Sequence, residues 1–334
     1  MIANWSRLSQ FAECRQKAWN WDELKLTSWR TPDALWQGGG FHVGVAELFA
    51  TKNTHSSVQA AEDEIRGRLV KEIILPEERP LIEQRIEWTK RAVAKFAEYY
   101  AEEDIEVLWP EVSFNVPMPN SSHHCFFMHR LLHPDDSTNG CNDSRCWMPH
   151  YFRGRTDAVV QWMTKIWLFE HKTNSMSNDI FFKKYLLDAQ PTGYMYGIWK
   201  SLGVKPEGFI LNVIQKPYKT AKDQLSVGFS REPYFRTTED LERFEREFIA
   251  QANDYERAFA AGASGDLSQV YMNTRSCSNW GRMCIYADKC QRGHTFEGEF
   301  AHRVGDYVEA EYYKLAGLEV PEEPTEEENT TDVV

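Results

Sequence analysis

The sequence has no run of about 18 uninterrupted apolar residues, so it offers no candidate membrane span. Its first stretch, "MIANWSRLSQFAECRQ", lacks the basic-then-apolar pattern of a secretory signal, and the expectation is a chain that stays in the cytoplasm. It holds no G-x-x-x-x-G-K-[ST] segment, which excludes a P-loop motor within this chain, and no internal repeat. Cysteine is scarce, seven in 334 residues, which argues against a disulfide framework and for reduced thiols, some of them open to metal. Positive charge is also short: 38 Lys and Arg stand against 50 Asp and Glu, for a formal charge of −12.

That shortage is uneven along the chain. The tail "EVPEEPTEEENTTDVV" holds seven acids and no Lys or Arg, so the rest carries only −5, and the tail reads as disordered. Between Arg153 and Lys222 eleven basic residues, among them Lys183, Lys184, Lys200, Lys205, Lys216 and Lys219, face five acids. Such a window is either an ordinary solvated face or a local surface for a polyanion.

What is present is a succession of amphipathic helices and short strands. "SRLSQFAECRQKAW" spaces Leu8, Phe11, Cys14 and Ala18 by three or four residues, the stripe of a helix. "QGGGFHVGVAELFA" reads as a glycine-rich break followed by a helix with His42 in its first turn. Two long helices are expected, roughly Ser57 to Ile74 and Glu77 to Tyr100, divided at Pro76. A strand follows in "IEVLWPEVSFNVPM", then a polar segment over residues 119–148, rich in His and Cys, that reads as an insertion or an extended hairpin. Beyond the next hairpin come a helical pair, "DIFFKKYLLDAQPTGYMYGIWKSLG", and strands in "GFILNVIQKPY" and "LSVGFSREPYF". A long helix opening on a capping box at Thr237 and Asp240 completes the body.

The hairpin "GRTDAVVQWMTKIWLFEHKTN" carries an unusual burden. With a tight turn at Met163-Thr164, opposed residues have numbers summing to 327, so Asp157 faces Glu170, and two like charges directly opposed destabilise a sheet. Strand alternation places Lys172 on the same face as Glu170 and turns His171 away. Two carboxylates with a neighbouring ammonium can hold a hard divalent cation and orient a water beside it. They can equally form a structural salt bridge on an exposed face.

Taken with their surroundings, these residues resemble a known family. "GRTDAVV" followed by "LFEHKTN" is similar to the Asp and Glu-x-Lys of the PD-(D/E)XK nuclease superfamily, in its RecB/AddB-like branch. Gln190 and Tyr194 in "QPTGY" match that branch's Gln-x-x-x-Tyr motif, and His42 after "GGGF" matches its Gly-x-x-x-His. The resemblance implies that Asp157, Glu170, His42 and the main-chain carbonyl of His171 bind a catalytic Mg²⁺ or Mn²⁺. The imidazole tilts the preference toward Mn²⁺. It also implies that Lys172 positions or helps deprotonate the attacking water, and that Gln190 and Tyr194 buttress Lys172 or touch the DNA backbone.

Cys277, Cys284 and Cys290 are soft ligands in a loop containing Gly and Asn, a setting in which thiolates bind zinc or iron-sulfur clusters. Part of the RecB-like branch closes a 4Fe-4S cluster with one N-terminal and three C-terminal cysteines, and Cys14 lies in the matching context. The sequence departs from the usual pattern in its six-residue first spacing and in lacking a Pro after Cys14, which keeps zinc in play. The other three, Cys125, Cys141 and Cys146, lie among His123, His124, His129, His133 and His150. Only His129-x3-His133 has a ligand rhythm, so the segment reads as a polar insertion near the DNA path, with a second zinc site as the lesser alternative.

The expected protein is therefore α/β: a restriction-endonuclease-like central mixed sheet flanked by helices, its two ends joined by a metal cluster. Residues 1–315 would form one nuclease domain, with an iron-sulfur loop at 265–295 and an acidic tail at 316–334. The expected function is metal-dependent hydrolysis of DNA phosphodiesters by an exonuclease in recombination, end processing and repair, or phage and defence DNA metabolism. DNA is the expected partner, with any helicase or recombinase on a separate chain. The rivals are a non-catalytic DNA-binding scaffold of the same fold and a restriction-type endonuclease.

Overall fold

The computed structural model describes residues 1–70, 72, 74–136, 142–175, 179–218, 221–279, 282–303 and 307–320. The chain divides into two compact units, one of Met1–Trp29, Asn115–Arg153 and Glu245–Val334, the other of Arg30–Phe114 and Gly154–Phe244. Both are assembled from segments distant in sequence. Most of the acidic tail, 321–334, and Cys141, Lys219 and Trp280 lie outside the described residues.

In the second unit three helices, α1 (Asp33–Thr51), α2 (Thr54–Leu69) and α3 (Arg79–Tyr99), precede the strand β1 (Ile105–Pro117). The hairpin strands β2 (Tyr151–Trp162) and β3 (Lys165–Asn174) follow, then the helix α4 (Ala189–Leu202) and the strands β4 (Gly208–Gln215) and β5 (Gly228–Phe235). β2 and β3 pair antiparallel, β3 and β4 parallel, β4 and β5 antiparallel, and β1 adds to β2, so the sheet is mixed. The parallel pair needs a crossover, and Asp179–Lys184 with α4 supplies it. The expected mixed α/β fold with a helix-flanked central sheet is what forms.

The helices bury apolar stripes against one another, as in the cluster of Trp36, Ile65, Leu69, Ile82 and Ile86, and against the sheet. Phe41, Val45, Ala61, Trp88, Ala92, Val93 and Phe96 pack with Ile214 of β4. Ala158, Val160, Trp167, Phe169 and Ile210 line one face of the sheet, covered in part by Phe49 of α1. Fully burying side chains of this size contributes about 1.5–3 kcal/mol each.

The glycine run does not break the helix, contrary to expectation. Gly38, Gly39 and Gly40 are all within α1, and His42 lies at its middle rather than in a first turn. The reason is tertiary. A Cβ on Gly40 would come within 2.5 Å of the Ile65 side chain, and one on Gly44 within 2.8 Å of Val93 and 2.9 Å of Ala61. Glycine here lets α1 lie close against α2 and α3, which offsets its helix penalty of about 1 kcal/mol.

The first unit holds two short N-terminal helices, Trp5–Glu13 and Arg15–Asp22, where one was expected. The break is at Cys14, whose backbone is extended while its N–H still reaches Gln10 O. A short strand, Ile2–Ala3, pairs parallel with Tyr151 and Phe152, the start of β2 that belongs to this first unit. Tyr255 and Phe259, on the long helix α5 (Thr238–Ala263), stack at 4.1 Å, and Phe11 tilts onto Tyr255. The predicted capping box opens α5: Asp240 N donates to Thr237 Oγ1 at 3.2 Å, and Thr237 N donates back to Asp240 Oδ2 at 2.8 Å.

The segment 119–148, expected as an insertion or an extended hairpin, is paired at its base. His123 and His124 pair with Met148 and Trp147 as the base of a hairpin, and Phe126–Leu132 is helical. Cys125, Met128 and Met148 form a core with Ile2 and Tyr312. Its polar composition concealed a small apolar stripe. Among the described residues no helix is long and apolar enough to cross a membrane.

Candidate active site

The hairpin turn falls at Met163 and Thr164, both with positive φ, 48° and 62°. Two consecutive left-handed residues have the twist that a two-residue hairpin loop requires. The ladder then runs from Trp162↔Lys165 to Ala158↔Phe169, the register in which paired numbers sum to 327. Asp157 is the next residue beyond. There its carboxylate replaces the ladder: Oδ2 accepts the main-chain N–H of His171 at 2.6 Å.

Asp157 Oδ1 lies 2.9 Å from His42 Nδ1 of α1. Glu170 is buried and forms an ion pair with Lys172, which donates in turn to Gln190 Oε1 at 3.4 Å. Gln190 Nε2 donates to Tyr194 OH at 3.0 Å. His42, Asp157, Glu170, Lys172, Gln190 and Tyr194 are thus gathered in one place, in two hydrogen-bonded chains whose carboxylates feel each other's charge. His171 contributes its backbone; its imidazole turns away, as alternation predicts, among Phe41, Phe49, Phe96 and Phe169.

The charges are strongly coupled. Burial would raise Asp157, but the charge and hydrogen bond of His42, with help from Lys172, hold it well below the usual carboxylate range. Burial raises Glu170, Lys172 counters, and the charge of Asp157 lifts it further, so its net direction is up. Burial would lower Lys172, yet Glu170 holds it above the ordinary lysine range and hence protonated. His42 is likewise depressed by burial and raised on balance by Asp157. A half-buried Asp157 held ionised by His42 and a buried Glu170 raised by burial make a donor set that a divalent cation suits, because its charge would let both ionise. The side chain of Lys172 is 31% exposed.

Three supports escaped the sequence reading. Asp188 caps α4, its Oδ1 accepting Gln190 N at 2.9 Å, and so fixes the start of the helix that carries Gln190 and Tyr194. An Asp two residues before a helical Gln is a legible cap signal. Tyr185 is buried close enough to Lys172 for their charges to interact. Phe114 of β1 packs edge-on to Tyr194 at 6.0 Å and fills the space that side chains at Gly154 and Gly197 would need. Nothing local in the sequence marks Phe114.

The basic window resolves into separate environments. Lys183, Lys184, Lys200 and Lys205 are exposed. Lys216 instead donates to Gln37 Oε1 at 3.1 Å and sits over the Trp88 ring, with burial lowering it to about 8.

In the first unit, Asn273 joins two of the terminal cysteines: its N–H points at Cys14 Sγ at 3.4 Å and its carbonyl accepts from Cys277 Sγ at 3.8 Å. Cys284 N donates to Cys277 O at 2.7 Å. Cys284 and Cys290 are raised by burial, and each feels the charge of Cys14 and Cys277.

A family model describing the PD-(D/E)XK nuclease superfamily matches residues 3–291. The chain belongs to that superfamily. Its members are nucleases that typically use Mg²⁺ or Mn²⁺. Among solved structures, the chain is similar to a provisionally named exonuclease from Eubacterium rectale, at 10% identity over 88% of each chain with a TM-score of 0.45. No curated protein matches it.

Proposed function

We propose that the chain is a metal-dependent deoxyribonuclease of the RecB/AddB-like branch, acting as an exonuclease in recombination, DNA end processing and repair, or phage and defence DNA metabolism. Residues 1–315 act as one nuclease domain, in keeping with a family match that runs through segments of both units. The observation that carries the reading is the pair Asp157 and Glu170, held at the end of the hairpin between His42 and Lys172.

Asp157, Glu170, His42 and the main-chain carbonyl of His171 would hold Mg²⁺ or Mn²⁺. When bound, the ion would supply charge neutralisation at the phosphate and lower the pKa of water. The rest belongs to the chain. The His171 N–H and His42 fix both oxygens of Asp157, so the carboxylate is oriented before substrate arrives. Lys172, kept protonated by Glu170, donates hydrogen bonds and neutralises phosphate charge; it becomes a proton acceptor only when the charge of Glu170 is engaged elsewhere. Gln190 holds Lys172 and is itself held by Tyr194.

Cys14, Cys277, Cys284 and Cys290 would supply four thiols to a 4Fe-4S cluster, with zinc as runner-up. Such a cluster would join the ends of the chain and contribute to its folding. DNA ends are the substrate, and a separate helicase or recombinase would deliver them in the cytoplasm.

The deciding experiment incubates purified protein with labelled linear and circular, single- and double-stranded DNA in Mn²⁺, Mg²⁺ or EDTA. Metal-dependent loss of linear DNA with circular DNA spared is expected, and Asp157→Ala and Lys172→Ala should abolish it. Cleavage in EDTA, or full activity in either variant, would overturn the mechanism. Cleaved circles would indicate an endonuclease, and binding without cleavage a scaffold.

A further inference from the structure

The segment that read as a polar insertion brings together imidazoles and a thiol that the nuclease reaction does not use. His124 stands at the hairpin base opposite Trp147, His129 in the helix Phe126–Leu132, and Cys146 at the end of the short turn Ser144–Cys146. One ligand atom from each lies within 4.8 Å of the other two. His129 Nδ1 and Cys146 Sγ are 3.9 Å apart, and the His124 and His129 rings are 5.1 Å apart. In a tetrahedral zinc site, bonds of about 2.0–2.3 Å put ligand atoms about 3.3–3.8 Å from one another. The His129–Cys146 pair already stands close to that range, and the other two pairs lie within 4.8 Å.

We propose that His124, His129 and Cys146 bind a structural zinc ion, with His133 as the fourth ligand. The His133 ring lies 5.1 Å from that of His129, and its Nε2 is 3.3 Å from Asp143 Oδ2. Cys146 belongs to both sets of converging atoms, His124-His129-Cys146 and His133-Asp143-Cys146, and is the common centre. Imidazole and thiolate together select zinc over the hard cations of the carboxylate site.

Three further observations fit a ligand role. His129 and Cys146 are buried, so the ion would be shielded from water. Asp136 Oδ2 lies 3.8 Å from His129 Nε2, the side away from the thiol, placing a carboxylate behind a metal-binding imidazole. The scaffold is anchored: Cys125 N donates to Cys146 O at 2.8 Å, and His133 N to His129 O at 2.8 Å.

The neighbouring set, His123, Cys125 and Glu256, is a different environment. Glu256 Oε2 accepts Phe126 N at 3.0 Å, Oε1 accepts the Cys125 thiol at 3.3 Å, and burial pushes that thiol up to about 12. It is a closed hydrogen-bonded knot, with its thiol kept protonated.

The zinc ion would hold a hairpin whose paired base strands are only two residues long. Binding of this kind is folding free energy. The proposal is independent of the nuclease reading, since none of its ligands belongs to the carboxylate site.

The test measures metal in the full chain. Purified wild type is treated with EDTA mild enough to strip Mg²⁺ and Mn²⁺, then assayed for zinc and titrated with Co²⁺ in place of zinc. We expect Cys146→Ser and His124→Gln each to lose about one equivalent of zinc per chain. Cys146→Ser should also lose one thiolate-to-cobalt charge-transfer band, while Cys284→Ser retains it. Wild-type zinc content and cobalt spectrum in both Cys146→Ser and His124→Gln would overturn the proposal. If Cys146→Ser fails to fold, the half-buried His124→Gln decides alone, and wild-type zinc content and cobalt spectrum there overturn the proposal.

Discussion

Nδ1 of His42 meets Oδ1 of Asp157 at 2.9 Å, so the middle of α1 is fastened to the open end of the hairpin. The contact aligns two motifs 115 positions apart in sequence. His42→Gln keeps a polar side chain but removes the imidazole. We expect nuclease activity to fall about 10- to 100-fold, with the loss read as a higher Mn²⁺ requirement. Asp157→Asn should cost about 100-fold or more that no metal concentration restores. Equal metal titration curves for wild type and His42→Gln would remove His42 from the cation site.

Lys172 and Gln190 should separate by degree. Lys172→Met deletes the charge that faces Glu170 and should abolish turnover, whereas Gln190→Ala only frees the ammonium from its 3.4 Å partner. Gln190→Ala is expected to lower kcat about tenfold with little change in KM, as befits a residue that positions another. A rise in KM alone would instead assign Gln190 to DNA contact.

Phe114 gives a packing prediction. A Cβ at Gly197 would fall 2.3 Å from its ring, and one at Gly154 2.5 Å from its ring and 3.0 Å from Tyr194. Gly154→Ala should destabilise by about 1–3 kcal/mol and reduce activity through Tyr194. Gly67→Ala, inside α2 with nothing within 4 Å, is the control and should stabilise by about 0.5–1 kcal/mol. Urea midpoints of the three proteins check both signs.

How much of this was legible follows from the range of each interaction. The hairpin register could be read because a period of two and a two-residue turn leave few choices, and opposed acids stand out against that pattern. The course of α1 through Gly38, Gly39 and Gly40 could not, since the residues that crowd Gly40 and Gly44 and favour glycine there, Ile65, Ala61 and Val93, lie on other helices. The break at Cys14 was hidden for a related reason: an apolar stripe continues across it, while its thiol is held by the distant Asn273. His124, His129 and Cys146 follow no spacing rule because a hairpin base, a helix and a turn supply one each.

His171 sets a pH dependence. Burial lowers it to about 3, and among the described residues neither ring nitrogen has a hydrogen-bond partner. In the unfolded chain a histidine titrates near about 6.5. Between those values the unfolded state takes up a proton that the folded state refuses. The contribution is therefore fully present above about pH 6.5 and lost as pH falls toward 3, by up to about 1.4 kcal/mol per pH unit. In EDTA, the difference in unfolding free energy between about pH 7 and pH 5 should be smaller in His171→Leu than in wild type. An unchanged difference would show that this imidazole is not neutral in the folded protein.

The terminal cysteines should behave as one unit. Asn273 lies between Cys14 and Cys277, and Cys284 and Cys290 each sense the charge of both. Thiols brought together from opposite ends of the chain repel when ionised, so a positively charged metal centre should stabilise the fold as it binds. Protein purified without air is expected to be brown, with about four irons per chain, and Cys14→Ser or Cys290→Ser should lose both colour and iron. Cys146→Ser should keep them, because it belongs to a different donor set. A colourless wild type containing zinc at these four cysteines would replace the iron-sulfur cluster with its runner-up.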